Sequence, residues 1–295
     1  MGKKRFLIGL GIVGVILTVF FILVVGGAVI INSYYSSGFG RDKVGIIEVT
    51  GLIQDSREIN KEIIAFRDRE DIKAIVLRID SPGGGVGPSQ EIYEEIKKTR
   101  DKKKIVASMG SVAASGGYYI ASAADKIVAN PGTITGSIGV IMQFTNVEGF
   151  LSKIGVKGYV VKSGEFKDTG SPLRDISTDE KELLQGLIDN VYGQFVDVIA
   201  ENRGMEIEDV RKVADGRILS GAQAQDARLV DELGNLQYAI DLASNLAGIE
   251  GKPSVIYPKR KRITFLDIIF GEGILRLLEK TQGLYYSPQL LLYLN

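Results

Sequence analysis

Neither histidine nor cysteine occurs anywhere in the 295 residues of this chain. Without cysteine there is no disulfide and no thiol nucleophile. Without either residue the usual ligands of zinc and copper are missing, so no catalytic transition metal is expected, and no other cofactor is called for. The loss of histidine bears most directly on catalysis, because it removes the ordinary general base and leaves proton transfer to Lys, Asp, Glu and Tyr. Nor is there an excess of either charge. With 36 Lys plus Arg against 36 Asp plus Glu, nucleic-acid binding is not expected as the main activity.

Long hydrophobic runs are confined to one place near the start. After Lys3, Lys4 and Arg5, the stretch from Phe6 to Ile31 carries no charge. At about 1.5 Å per helical residue it is long enough to cross a hydrocarbon core of about 30 Å. No A-x-A site follows before "NSYYSSGFGRDK", so the expectation is an uncleaved single-pass anchor, not a removed signal peptide. The basic residues before it keep the N-terminus cytoplasmic and put the rest of the chain on the extracytoplasmic side of the cell membrane. The chain then divides into an anchor at 1–31, a linker at 32–43, one domain at 44–258 and a basic, amphipathic tail at 259–295. That tail is expected to dock on the domain or the membrane surface, although its end, "LLLYLN", is also able to lie in a peptide groove of the same assembly.

From Val44 onward the pattern is α/β. "VGIIEVTGLI" and "IKAIVLRID" are β-branched runs, and "PSQEIYEEIKKTRD" before "KIVASMG" has helical spacing. This order implies parallel strands joined by right-handed crossovers. "GYYIASAAD" reads as a helix, "KIVANP" and "GYVVKSG" as strands, and residues 178–202 as a long helix behind a Ser/Thr/Asp cap. "EIEDVRKVAD" and "NLQYAIDLASNLAGI" add two more helices.

Three consecutive glycines in "RIDSPGGGVGPSQEI" stand between a strand and a helix. The spacing fits neither a dinucleotide fingerprint nor a phosphate loop, which leaves a plain tight turn or an oxyanion hole. Ser115 in "ASGGYY" is a candidate nucleophile at a helix start, where the Gly116 amide points outward, although small residues also serve close packing. A serine needs a base, and the one nitrogen base available near neutral pH is a desolvated lysine. Lys162 and Lys167 in "VVKSGEFKDTGSPLR" both stand where the expected strand gives way to a loop. The residues alone leave that choice open.

The combination of "DSPGGGV", "MGSVAASGGYYIASAADKIVANPGTITGSIGV", "KSGEFKDTGSPLR" and "ADGRILSGAQAQDARLVDELG" closely resembles the short, single-repeat signal peptide peptidases of the SppA type, relatives of the Clp-protease and crotonase superfamily. The likeness covers roughly residues 44–245. It implies an α/β fold, the ClpP/crotonase-like ββα superhelix, preceded by one transmembrane helix. It further implies a serine endopeptidase with Ser115 as nucleophile, Lys167 as base and Ser137 orienting the lysine. The backbone N–H groups of Gly84 and Gly116 then form the oxyanion hole. Asp80 stands where many relatives have Asn. The partners implied are signal peptides and membrane-protein fragments, the membrane, and further copies of the chain in a ring or dome, an octamer. Two other readings are a protease that cleaves a scaffold or membrane protein and a noncatalytic crotonase-like module that binds an acyl group.

Overall fold

Residues 14–28, 42–258 and 291–292 are described by the computed structural model. The first element, α1, is the helix at 14–28, with apolar side chains on every face. Val15, Phe20, Phe21 and Leu23 are 64–68% exposed, so nothing described covers them. Among the described residues no helix is long and apolar enough to cross a membrane. The remainder of the Phe6 to Ile31 run lies outside the described residues, as do the expected linker up to residue 41 and the tail at 259–290.

The domain begins with β1 (Lys43–Thr50), α2 (Arg57–Arg67) and β2 (Ile72–Ser81), followed by the two-residue β3 (Gly84–Gly85) and α3 (Val86–Arg100). Next come β4 (Lys104–Ala114), α4 (Gly116–Ala121), β5 (Lys126–Ala129), β6 (Ile134–Gly136) and α5 (Glu148–Lys153). The long α6 (Thr178–Arg203) and short α7 (Ile207–Arg211) lead to β7 (Ile218–Ser220), α8 (Gly221–Asp226) and β8 (Glu232–Leu233). The chain closes with α9 (Leu236–Leu246), β9 (Ser254–Ile256) and, far along, β10 (Leu291–Leu292). Eight strands form one sheet with the path β7-β6-β4-β2-β1-β9, and β5 and β8 branch off β4.

The β-branched runs are strands because both faces of the sheet are covered. Ile47, Leu77, Ile105 and Ala107 pack under α3, α4 and α6 with Ile92, Tyr118 and Phe195. On the other face Ile46, Val76, Val106 and Val128 meet Ala239 and Ala243 of α9. Such strands read as continuous apolar runs.

β4 is the irregular member. Its first half pairs with β5 (Val106↔Lys126 to Met109↔Ala129), and its second half pairs with β6 (Val112↔Ile134 to Ala114↔Gly136). Opposite the change of neighbour the register with β2 also slips, from Ile79↔Met109 to Ser81↔Ala113. β4 therefore bends between two partners just before Ser115.

Three expectations are corrected. Residues 158–164 form no strand; the run has no neighbouring strand to bond with, and Val161 is 102% exposed. β6 and β7 pair antiparallel, because a chain excursion from 137 to 217 brings β7 back along the same edge. The helix expected over 206–215 is only the five residues of α7, while α2 was not anticipated at all.

Candidate active site

Two turns meet at the carboxyl ends of β2 and β4. The first is Ser81-Pro82-Gly83-Gly84, and its backbone is pressed against the segment after β1: the Ile53 amide donates to the Gly83 carbonyl at 2.9 Å, and the Gly85 amide donates to the Ile53 carbonyl at 2.8 Å. These bonds flank Gly84 in its parallel bridge to Ile53, so the N–H and C=O of Gly84 itself face the opposite side. The approach needs glycine, since a Cβ on Gly84 would lie 2.2 Å from the Ile53 carbonyl oxygen.

The second turn carries Ser115 as the cap of α4. Its backbone has φ 53 and ψ −117, a conformation that L residues adopt at a cost. It is held there by its own N–H, which donates to the Gly136 carbonyl at 2.8 Å, and by its carbonyl, which accepts from Tyr119 N–H at 2.8 Å. Ser115 is fully buried, and among the described residues its Oγ has no hydrogen-bond partner. A buried hydroxyl of this kind is rare, because leaving it unpaired costs about 1–3 kcal/mol.

The two turns touch. A Cβ on Gly116 would lie 2.6 Å from Ser89 Oγ and 3.2 Å from the Gly84 nitrogen, so glycine at 116 is what lets α4 come up against the Gly84 amide. As the first residue of α4, Gly116 has no carbonyl one turn back to accept its own N–H. Ser137, buried and at φ 48, follows Gly136 directly, and its amide donates to the Arg217 carbonyl at 2.7 Å. Ser115, Gly116, Gly84 and Ser137 thus share one neighbourhood.

Lys167 does not join them within one chain. It sits on an exposed 3-10 turn, Glu165–Asp168, and its ammonium meets no hydrogen-bond acceptor or carboxylate among the described residues. Lys162 differs, because it donates to the Glu165 carbonyl and to Asp168 Oδ1, both at 2.6 Å. Asp168 also accepts from Arg174, at 2.9 Å from Nε and 2.8 Å from Nη2, and Arg174 Nη1 reaches Glu180 Oε2 at 2.8 Å. Arg174 first, then Lys162, holds the Asp168 carboxyl well below the usual carboxylate range. Arg174 and the Ser177 amide hold Glu180 down to about 2. The network ties the turn to the start of α6, where Ser177 and Glu180 form a capping box. Asp168, Arg174 and Glu180 were not singled out from sequence.

Two cavities open nearby. One of about 430 Å³ is lined by Ser137, Val140, Ile141, Ile188, Tyr192 and Ile218. The other, about 480 Å³, is lined almost wholly by apolar groups, among them Met142, Phe144, Phe166 and Leu187. In the arm that precedes Lys167, Phe150, Ile154 and Tyr159 are 59–87% exposed. At the glycine turn, β10 pairs antiparallel with β3, with Leu292 opposite Gly84 and Leu291 opposite Gly85. Among the described residues no group of His, Cys, Asp or Glu is placed to hold a metal ion.

The profile of Peptidase family S49 matches residues 97–250, and that of Clp protease matches residues 42–134. A chain of Synechocystis sp. named as a protease is 46% identical over 211 residues, 71% of this chain and 76% of its own length. One named as signal peptide peptidase SppA, from Enterococcus faecium, is 36% identical over 218 residues, 69% of this chain and 63% of its own length. Protease 4 of Salmonella typhi is 36% identical over 217 residues, 70% of this chain. The match spans less than two thirds of the Enterococcus relative and only 35% of the Salmonella one.

Proposed function

Because the chain belongs to peptidase family S49 and is a serine peptidase, we propose that Ser115 is its nucleophile, Lys167 its general base, and the Gly84 and Gly116 amides its oxyanion hole. The carrying observation is the buried, unpartnered Ser115 hydroxyl on a strained turn beside those amides. In this reading neutral Lys167 takes the Ser115 proton as Oγ attacks a peptide carbonyl, and the oxyanion is held by the two N–H groups. The protonated lysine then gives its proton to the leaving amine. Water, deprotonated by the same lysine, cleaves the acyl-serine and frees Ser115.

One feature supports Lys167 over Lys162. Lys162 is committed to Asp168, whereas the Lys167 ammonium has no partner among the described residues. A lysine works as a base when burial disfavours its charge, and in one chain Lys167 is exposed. A second copy docking over the apolar arm would bury it and bring it to a Ser115. The reading is therefore of a homo-oligomer, an octamer, with each site completed between copies and Ser137 orienting the incoming lysine.

Substrates bind as an added strand along Gly84 and Gly85, the edge on which β10 lies antiparallel, with apolar side chains in the neighbouring cavities. Helix α1, apolar on all faces and uncovered, supports a single-pass anchor with the domain at 44–258 outside the cytoplasm. Such placement suits signal peptides and fragments of membrane proteins.

The test is turnover of a fluorogenic apolar peptide by the full chain in detergent. Ser115→Ala and Lys167→Ala should each lose essentially all activity, while Lys162→Ala stays within a few fold of wild type. Activity retained in Lys167→Ala and lost in Lys162→Ala would transfer the base to Lys162.

A further inference from the structure

We propose that Asp80 is a positioning residue for this peptidase site, its carboxylate pinning the bend of β4 to the glycine turn so that Ser115 and Gly84 keep a fixed relation. The inference rests on Ser115 as the nucleophile.

The argument starts from the irregularity in β4. Between Met109 and Ala113 this strand has three intervening residues where β2 has only Asp80. Extra residues in a strand leave backbone groups without ladder partners and turn the strand. Here the gap is filled by side chains. Asp80 Oδ1 accepts the Val112 amide at 3.1 Å. Thr133 Oγ1 donates to the Gly110 carbonyl at 2.7 Å, and Arg78 Nη1 donates to the Met109 carbonyl at 3.2 Å. Gly110 makes room for the carboxylate, since a Cβ there would stand 2.7 Å from Asp80 Oδ2.

Asp80 sits at the junction of both catalytic turns. Its own carbonyl accepts the Gly51 amide at 3.0 Å, which seats the segment leading to Ile53, and Ile53 in turn grips Gly83 and Gly85. The next residue, Ser81, accepts the Gly83 amide on its Oγ at 3.1 Å. On the other side, Val112 is three residues before Ser115, and the ladder from Val112 to Ala114 delivers the Gly136 carbonyl that the Ser115 amide needs. A strained conformation persists only where its surroundings over-determine it. Asp80 supplies one such constraint, and it lies on the strand that carries the oxyanion turn. What the site requires of residue 80 is an acceptor oxygen at the Oδ1 position, not a charge, and an asparagine also provides that oxygen.

The experiment compares full-length wild type, Ser115→Ala, Asp80→Asn, Asp80→Ala, Gly110→Ala and the double variant Asp80→Ala/Gly110→Ala. For each, kcat and KM with a fluorogenic peptide, labelling by a fluorophosphonate and the melting temperature are measured. Asp80→Asn should stay within a few fold of wild type. Asp80→Ala should lose about tenfold or more in kcat at a temperature where it is fully folded, with KM little changed, since small misplacements of reacting groups cost rate steeply. Gly110→Ala should show a similar loss, and the double variant should lose less than the product of the two, as both disturb one contact. Wild-type kcat in Asp80→Ala, or an Asp80→Asn that falls as far as Asp80→Ala, overturns the proposal. Should Asp80→Ala fail to fold, the kcat of Gly110→Ala decides the matter, and an unchanged value refutes it. Turnover and labelling that survive in Ser115→Ala would instead strike the nucleophile assignment, an outcome separable from the Asp80 result.

Discussion

Ser115 combines two local costs, a left-handed backbone and a buried hydroxyl with nothing to bond. Backbone strain of this type is worth about 1–3 kcal/mol, and stability is given up for it only where surrounding contacts insist. The φ of 53 with ψ of −117 lies near the first central position of a type II′ turn, where glycine is at home. Two variants separate the costs. Ser115→Ala removes the unpaired hydroxyl and keeps the strain, whereas Ser115→Gly removes both. Both should be inactive, and Ser115→Gly should melt a few degrees above Ser115→Ala, the relieved strain outweighing the entropy of a freer unfolded chain. Differential scanning calorimetry checks the order. A lower melting temperature for the glycine variant would mean that Ser115 is not strained.

The 3-10 turn bearing Lys167 is held by charge rather than by apolar packing. Asp168 and Glu180 bind Arg174, and Asp168 also binds Lys162, while the turn itself is exposed. Both acids titrate below their ordinary values of 3.8 and 4.5. Their contribution to stability is therefore complete above that range and declines as pH falls toward about 2 for Glu180. Hydrogen exchange should accordingly show residues 162–180 losing protection as pH falls from 4.5 toward about 2, before the sheet does. Uniform loss across the domain would refute the assignment of these ties to this segment. Sequence reading reached the start of α6, because the Ser/Thr/Asp run before it is a local cap signal, and it reached the strands whose two buried faces make unbroken apolar runs. It could not see the bend in β4, since the bend is made by Asp80 and Thr133 from other parts of the chain. It misread 158–164, because a run with β-branched residues forms a strand only where a neighbour is present to pair with. The choice between Lys162 and Lys167 was closed to it for the same reason, as it depends on a carboxylate six residues from Lys162 and on the arginine that shares it.

At the scale of the whole molecule, a single chain offers an incomplete site and an uncovered surface. Among the described residues the Ser115 hydroxyl has no partner and the Lys167 ammonium has none, and Phe150, Ile154 and Tyr159 stand in solvent on the arm that leads to the lysine. Monomers rarely leave large apolar groups clustered and open unless something binds them. If a second copy covers the arm and donates Lys167, the two halves of the dyad belong to different chains, and this has a consequence that mutation alone cannot imitate. Chains carrying Ser115→Ala and chains carrying Lys167→Ala are each inactive. Co-assembled one to one in a closed homo-oligomer, they should regain activity, because about a quarter of the sites then pair an intact serine with an intact lysine. Refolded or co-expressed mixtures, separated from single species by two affinity tags, give the measurement directly. Recovery near that fraction fits a dyad shared between copies. No recovery, in mixtures shown to contain both chains, would place Ser115 and Lys167 in one chain and require the 3-10 turn to swing inward when substrate binds.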